Sequence, residues 1–220
     1  MIANILQDGF HQFHNGGIWL DRMADFDFVV VQKEIDKIKK DFDHAVDSRY
    51  DLIGHLKQSY DIVDSKSIIE RKVLQMANSL DQCTEHWEFV KSAYAQEEKD
   101  DYELSLGKCW VNFQRKHEFQ PIHNHSGVFS FILFCEIPFE MNEELDNGPG
   151  AGASIQLNGM LNFHHISYRG NISTTTIPAD KHWIKRMIIF PAELKHSVYP
   201  FYSSDDYRIT ISGNLVSTRR

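Results

Sequence analysis

The sequence is poor in cysteine and has no long apolar run. Its three cysteines, Cys83, Cys109 and Cys135, are odd in number and irregularly spaced, which argues against the disulfide framework of a small secreted protein. No stretch approaches the ~18 uncharged apolar residues that a membrane-spanning helix needs. The first residues also lack the basic and apolar segments of a secretory leader. We therefore expect a cytoplasmic protein without a membrane partner.

Clusters of lysine and arginine are missing as well. The densest basic run, residues 37–40, is flanked by Asp36 and Asp41, so we interpret it as a solvated helix face. The formal charge is −8, divided into −9 on residues 1–106 and +1 on residues 107–220. A phosphate backbone selects clustered cations. The sequence therefore predicts no nucleic-acid partner.

The first half of the chain has the periodicity of amphipathic helices. Apolar residues recur every three or four positions in three segments, which places them on one face of a helix. The segments contain Val31, Ile35, Ile38, Phe42 and Val46, then Ile69, Val73, Met76 and Leu80, and then Trp87, Val90 and Tyr94. Ser67 and Glu70 match a capping box at the start of the second helix. Residues 1–104 are predicted to be mostly helical.

After residue 104 the sequence changes to short runs of aromatic and β-branched residues, which predict strands. These runs are KCWVNF, VFSFILFCEI, ASIQLNGML, RMIIFPA and YRITISGNL. Because turns rather than helices join them, we expect an α+β, mainly β fold in which a sandwich or barrel carries the amino-terminal helices on one sheet. Residues 140–153 are acidic and then rich in glycine, which indicates a mobile surface loop.

Two histidines stand one residue apart in PIHNHSG, residues 121–127. On an extended backbone His123 and His125 project to the same face, because side chains alternate along a strand. Such a pair is able to hold one metal ion, although a chain with 12 histidines also produces neighbours by chance. The adjacent His164 and His165 would face opposite sides of a strand, so they do not predict a joint site.

A second, distant stretch supports the metal interpretation. In IIFPAELKHSVYPF, residues 188–201, His196 follows an apolar strand that Pro191 interrupts. Further along, Arg208 lies on an alternating strand with Thr210 and Ser212 on the same side. A lone arginine that faces inward needs an anionic partner to offset its desolvation. We interpret that partner as a ligand.

These motifs together resemble the 2-oxoglutarate (2OG) and Fe(II)-dependent oxygenases. The similarity is greatest to a prolyl-hydroxylase-like subgroup often encoded by bacteriophages, and it covers about residues 105–216. The matching residues are Trp110, Asn112, Pro121, His123, His125, Ser130, Phe190, Pro191, Leu194 and His196. The resemblance implies a double-stranded β-helix, or jelly roll, for residues 105–220. This core and the helical region 1–104 would form one integrated domain.

The resemblance also implies the roles of the site residues. His123, His125 and His196 would bind Fe(II), and three protein ligands leave positions for the 2-oxo acid and O2. Arg208 would pair with the far carboxylate of 2OG, and Thr210 or Ser212 would add a hydroxyl hydrogen bond. Asn112 is a candidate for the border of the co-substrate pocket. Ser130 is either a pocket residue or a buried hydroxyl. Ascorbate would help to sustain turnover.

One position departs from the superfamily pattern, because His125 stands where an aspartate or glutamate is usual. The site then has three neutral ligands, or His125 does not bind and water takes its place. Glu118 or Asp206 is a further possible source of a carboxylate. A zinc ion with an activated water is a third possibility for three histidines.

Two function classes remain open beside a hydroxylase. One is a three-histidine metal enzyme of another type, and the other is a non-catalytic jelly-roll module such as a virion part. For a hydroxylase, the substrate is either a protein side chain such as proline or a small molecule. The sequence gives no indication of the oligomeric state.

Overall fold

The computed structural model describes residues 7–14, 16–94 and 101–219. Helices within these residues are α1 Asp25–Lys40, α2 Lys66–Thr84, α3 His86–Tyr94 and α4 Met141–Asn147. The strands are β1 Gly9–Phe13, β2 Gly16–Arg22, β3 Ser59–Asp61, β4 Tyr102–Gln114, β5 Gln120–His123, β6 Phe129–Glu136, β7 Leu161–Ile166, β8 Ile172–Ile177, β9 Arg186–Pro191, β10 Lys195–Val198 and β11 Arg208–Arg219. No helix in the described part of the chain is long and apolar enough to cross a membrane.

The strands form two antiparallel sheets. The larger sheet has the order β1-β2-β9-β6-β11-β4-β3, and the smaller has the order β5-β10-β7-β8. Apolar side chains from both sheets pack together between them, including Leu20 and Phe190 from the larger sheet and Leu161 and Phe163 from the smaller. This two-sheet arrangement confirms the predicted mainly β jelly roll.

The opposite face of the larger sheet is covered by the amino-terminal helices. Val31 and Ile35 of α1 and Val73 of α2 are completely buried, and they share a core with Val111 of β4 and Ile211 of β11. The prediction that the helices pack on one sheet is therefore confirmed. Because β6 lies between this helical layer and the other sheet, Phe129 to Cys135 are all buried. That position explains the unbroken apolar run in the sequence.

Two details of the predicted helices were wrong. Helix α1 ends at Lys40, so Phe42 lies in a following 3-10 turn and Val46 is exposed. The second helix has no capping box: its cap is Ser65, and the Glu70 carboxylate instead accepts a hydrogen bond from the Leu106 N–H at 2.8 Å. Instead of a local cap, a side chain of helix α1 holds the segment before α2.

Glu34 of α1 fixes the segment that leads into α2. Its buried carboxylate accepts hydrogen bonds from the N–H groups of Val63, Asp64 and Ser65 at 2.7, 2.9 and 2.7 Å. The Ser65 hydroxyl donates to the same carboxylate at 2.5 Å. Charged acceptors form stronger hydrogen bonds than neutral ones, so this long-range contact replaces the local cap that the sequence predicted.

The stretch 140–160 was also predicted wrongly in part. Residues 141–147 form helix α4, and the buried Glu144 carboxylate accepts hydrogen bonds from the Tyr202 and Ser203 N–H groups. The predicted strand ASIQLNGML is made of bends and turns until Leu161, where β7 begins. Gly159 has a φ of +69°, a conformation that strands do not use. This backbone turn outweighs the alternation of apolar residues.

Three strands lie within the amino-terminal region. β1 and β2 extend the larger sheet beyond β9, and β3 pairs with β4 at the opposite edge. The periodicity of the sequence gave no signal for these strands because they are short and only partly apolar. They join residues 9–61 to the same sheet as the later strands.

Candidate metal centre and adjoining cavity

Two of the three predicted metal ligands face each other across adjacent strands. His123 is the last residue of β5, and it is the register partner of His196 on β10. Both side chains are buried, with exposed fractions of 5% and 2%. Antiparallel pairing places side chains of such a pair on the same face of the sheet. The pairing therefore brings together two imidazoles that are 73 positions apart in the sequence.

His125 joins the pair from the turn that follows β5. Its backbone N–H donates to the Ala192 carbonyl at 2.9 Å, which fixes the turn against the segment before β10. Gly127 has a φ of +111°, and a Cβ there would lie 2.7 Å from the Leu215 carbonyl oxygen. Glycine is therefore needed for the chain to leave the turn and enter β6. The ligand-capable ring atoms of His123, His125 and His196 all lie within 4.8 Å of one another.

Backbone carbonyls orient two of the rings. The Nδ1 atoms of His123 and His196 lie 2.7 and 3.0 Å from the carbonyl oxygens of Pro121 and Leu194. A carbonyl only accepts hydrogen bonds, so Nδ1 carries the proton in each ring and Nε2 keeps its lone pair. This is the usual arrangement of histidines that bind metals. The chemistry of the donor set thus fits a divalent transition metal.

The surroundings keep the three imidazoles neutral. Burial lowers the pKa of His123, lowers that of His125 to about 4, and lowers that of His196 well below its usual range. The neighbouring His123 contributes further to the lowered pKa of the other two. Neutral imidazole is the form that coordinates Fe(II) or Zn(II). The cluster is therefore suited to a cation rather than to protons.

No carboxylate belongs to this cluster within the described residues. The Glu118 carboxylate accepts hydrogen bonds from the backbone N–H groups of Arg115 and Lys57 at 2.9 and 3.3 Å. Asp206 is exposed in the segment before β11. The possibility that Glu118 or Asp206 completes the site is thus not supported by their positions, and the third ring nitrogen comes from His125.

The three histidines line a cleft of about 420 Å³. Its walls also contain Leu52, Ile53, Lys108, Trp110, Asn112, Gln120, Asn124, Ser126, Phe131, Ile132, Phe190, Ser212, Asn214 and Val216. Although the chain has 31 aspartates and glutamates, none is among these lining residues, whose one formal charge is Lys108. A bound metal ion would therefore keep its positive charge, which favours anionic ligands.

A smaller cavity of about 20 Å³ adjoins the cleft and is lined by Arg208, Thr210 and Gln114. The two cavities share the lining residues Asn112, Gln120, Ile132 and Ser212. This shared wall connects the histidine cluster with Arg208. The sequence predicted that these groups belong to one site.

Arg208 is buried with only neutral hydrogen-bond partners in the described chain. Its Nε and Nη2 donate to Gln114 Oε1 at 3.1 and 2.6 Å, and Nη1 donates to the Gly159 carbonyl at 2.6 Å. Nη2 also lies 3.4 Å from the Tyr199 carbonyl. Burial lowers the pKa of Arg208 to about 10, although the Glu144 charge opposes this shift. The guanidinium remains charged at neutral pH, and no carboxylate of the described residues contacts it.

The remaining predicted residues divide into two groups. Asn112 and Ser212 line both cavities, Thr210 lines the smaller one, and Asn112 accepts a hydrogen bond from the Ser59 hydroxyl at 2.9 Å. Ser130 lines neither cavity, and its buried hydroxyl donates to Asn214 Oδ1 at 2.8 Å. Of the two interpretations of Ser130, the geometry favours the buried hydroxyl.

Several lining residues were missed in the sequence. Gln114 and Gln120 are neutral amides whose importance depends on partners from other strands, so no local signal indicates them. Leu52 and Ile53 reach the cleft from the segment before β3. The spacing of Gln114 two positions after Asn112 on β4 was the one available hint, since it places both amides on the same face.

Comparison of the sequence with known families gives a match over residues 108–214 to the family described as "Putative 2OG-Fe(II) oxygenase". Residues 108–214 therefore match the 2OG-Fe(II) oxygenases. The matched range begins within β4 and ends within β11, so it includes the three histidines and Arg208. No curated protein matches the sequence.

Solved structures share the fold of this oxygenase. A prolyl-4-hydroxylase from Pseudomonas putida superposes with a TM-score of 0.52 at 11% identity, over 91% of this chain and 92% of that one. EvdMO1 has a TM-score of 0.51 at 12% identity, over 93% and 48%. The viral collagen prolyl hydroxylase of Paramecium Bursaria Chlorella virus-1 has a TM-score of 0.48 at 12% identity, over 90% and 94%. The first two similarities support the jelly-roll fold.

The family match and the shared fold confirm the predicted enzyme class. The protein is a 2OG-dependent Fe(II) dioxygenase, whose cofactors are Fe(II), 2OG and O2. This result favours the oxygenase over the non-catalytic module and over a metal enzyme of another type. The neutral cluster, in which His123 and His196 are buried and His125 is half-buried, fits the metal that the family uses.

Proposed function

We propose that His123, His125 and His196 hold the ferrous ion and that Arg208 binds the far carboxylate of 2OG. The observation that carries this proposal is the shared wall of the two cavities, which connects the neutral histidine cluster with a buried cation that contacts no carboxylate of the described chain. Thr210 or Ser212 adds a hydroxyl hydrogen bond to the same ligand. Asn112 borders the path between the histidine cluster and Arg208.

The iron and co-substrate, when bound, supply oxidative decarboxylation of 2OG to succinate and CO2 with transfer of one oxygen atom of O2 to a substrate C–H bond. The chain itself contributes binding and orientation. His123 and His196 offer Nε2 lone pairs that backbone carbonyls have oriented. Arg208 binds the end of 2OG that does not react, which fixes the position of the reacting end.

The substrate that we propose is a protein side chain such as proline, with a small molecule as the alternative. The prolyl-4-hydroxylase similarity motivates this choice, although it concerns the fold. A second observation supports it: an open groove of about 390 Å³ lies beside β5 and shares Gln120 with the cleft. Phe119, Pro121 and Tyr199 are among its lining residues. Aromatic-lined grooves bind extended proline-rich peptides in other proteins.

The cofactor assignment is tested by anaerobic absorption spectroscopy. Addition of Fe(II) and 2OG together should produce a weak visible charge-transfer band, and neither component alone should do so. The His196→Ala variant should lack the band because one of the three ligands is gone. A zinc enzyme would give no such band and would not respond to 2OG, and a wild-type protein without the band would contradict the proposal.

The substrate class is tested by succinate release. Proline-containing peptides should raise the release of succinate above the uncoupled baseline measured without a peptide. Mass spectrometry should then find one added oxygen on the peptide. If small metabolites raise the release and peptides do not, the peptide proposal is wrong while the cofactor assignment stands.

A further inference from the structure

We infer that Gln114 is a positioning residue that keeps the Arg208 guanidinium charged, oriented and available to a ligand carboxylate. Gln114 thereby makes the site selective for a dicarboxylate co-substrate. The inference rests on the proposed role of Arg208. Gln114 and Arg208 are register partners on β4 and β11 and are both buried, with exposed fractions of 4% and 3%. No other side chain of the described residues hydrogen-bonds to the guanidinium.

The amide oxygen of Gln114 occupies one edge of the guanidinium. Nε and Nη2 both donate to Oε1, and Nη1 gives one hydrogen to the Gly159 carbonyl. A guanidinium has five N–H groups. One Nη1–H is left, together with the Nη2–H whose contact to Tyr199 is long at 3.4 Å. Nη1 and Nη2 therefore each keep one donor for a carboxylate of a ligand.

The orientation of Gln114 is fixed from its other end. Its Nε2 donates to the Glu118 carbonyl at 2.6 Å, so the amide oxygen must face Arg208. The turn that carries Glu118 includes His117 with a φ of +69°, and the His117 N–H donates to the Phe201 carbonyl. The amide is thus a rigid link between this turn and Arg208.

An amide at this position differs from a carboxylate in charge but hardly in size. Glutamate would neutralise Arg208 within the protein, because a buried arginine and carboxylate form a strong bidentate pair. A ligand carboxylate would then compete with an internal one. Glutamine satisfies the same donors and leaves the positive charge available. This difference explains why a neutral residue is suited to this position.

The test compares two 2-oxo acids that differ at the far end. Affinities of 2-oxoglutarate and 2-oxobutyrate, which lacks the far carboxylate, are measured by calorimetry on Mn(II)-loaded protein, in which turnover does not occur. The wild type should bind 2-oxoglutarate at least about tenfold more tightly, since charge-assisted hydrogen bonds are strong. Gln114→Glu should lose most of this preference while its affinity for 2-oxobutyrate and Mn(II) stays within about threefold.

A second substitution and a matched control complete the experiment. Gln114→Leu removes the orienting bonds without adding charge, so it should retain part of the preference. Gln58 accepts a hydrogen bond from the Tyr207 hydroxyl at 2.6 Å, and Gln58→Glu keeps that acceptor. This control should retain the wild-type preference. Thermal unfolding of each variant checks that it is folded.

The outcomes separate the two proposals. If the wild type does not prefer 2-oxoglutarate over 2-oxobutyrate, the role of Arg208 in the proposed function fails. If the wild type has the preference and the folded Gln114→Glu variant keeps it unchanged, the proposed role of Arg208 stands and the inference on Gln114 is wrong. If Gln114 had a purely structural role, its substitution would weaken the binding of both 2-oxo acids equally and leave the ratio of their affinities unchanged.

Discussion

The two ends of the site respond to the same burial in opposite ways. At one end, burial leaves three imidazoles neutral, with the pKa of His125 lowered to about 4. At the other end, Arg208 is also buried but keeps its charge, because a pKa of about 10 still lies above neutral pH. The first end therefore attracts a cation and the second an anion. Desolvation selects different ligands according to the intrinsic pKa of the side chain.

In the proposed site, this contrast would allow one co-substrate to bind at both ends. 2OG carries a carboxylate next to its ketone and a second carboxylate at the far end. A metal held by the three neutral histidines would keep its positive charge, and Arg208 adds another. The cleft between them has no aspartate or glutamate among its described lining residues. The net charge of −8 therefore gives no information about this local environment.

The largest expected effect is at the histidine end. His196→Ala should weaken Fe(II) binding by at least about 100-fold, because removal of a ligand costs more than the 10–100-fold typical of residues that orient ligands. Titration of Fe(II) under anaerobic conditions measures the change. His164→Ala is the matched control, since His164 bonds to Thr174 and Ser197 outside the cluster and should leave the affinity unchanged. Equal losses in both variants would contradict the assignment.

The next effect concerns the arginine end. Arg208→Ala should raise the dissociation constant of 2OG by about 10- to 100-fold, in line with roughly 1.5–3 kcal/mol for hydrogen bonds to charged groups. The dissociation constant of Fe(II) should change by less than about threefold. Arg208→Lys keeps the charge but loses the planar set of donors, so it should restore only part of the affinity. An equal loss of 2OG and Fe(II) affinity would mean that the two ends are not separate.

A smaller effect tests the unusual third ligand. His125→Asp should keep Fe(II) binding, because the carboxylate is an oxygen donor that iron accepts. His125→Ala should weaken Fe(II) binding by at least about 10-fold, which is less than His196→Ala, because His125 is half-buried on a turn whereas His196 is buried on a strand. Both variants are compared with the wild type by anaerobic titration. Unchanged affinity in His125→Ala would show that His125 orients the site without binding the metal.

The smallest expected effect on ligand binding comes from Glu144. Its carboxylate accepts hydrogen bonds from the Tyr202 and Ser203 N–H groups and also favours the charged form of Arg208. Glu144→Gln should lower the free energy of unfolding by about 1–3 kcal/mol. The affinity for 2OG should change by less than about threefold. A chemical denaturation curve and a calorimetric titration measure the two quantities, and a large loss of 2OG affinity would place Glu144 within the binding site.

The sequence predicted those parts of the molecule whose signals are local. β6 was recognisable because an unbroken apolar run is typical of a strand buried on both faces. β11 was recognisable because its alternating β-branched run is typical of a strand buried on one face. His123 and His125 were recognisable because their spacing places both on one face of an extended segment. The pairing of His123 with His196 depends on the register of β5 against β10, which neither strand encodes alone. The family resemblance supplied that long-range information.

The parts that were missed depend on distant partners. Gln114 has no distinguishing local pattern, and its role follows from the register of β4 against β11. The turn before β7 follows from the contact of Gly159 with the Pro200 carbonyl, which overrides a strand-like sequence. The start of α2 depends on Glu34, 31 positions before Ser65. In each case a tertiary hydrogen bond decides what local propensity leaves open.

The most direct test of the account is a crystal structure of the protein with Mn(II) and 2OG. We expect one ion bound by Nε2 of His123, His125 and His196 at about 2.1 Å, with the far carboxylate of 2OG on the Nη1 and Nη2 edge of Arg208. Gln114 should keep its bonds to Nε and Nη2. An ion bound away from the three rings, or 2OG bound without contact to Arg208, would contradict the account.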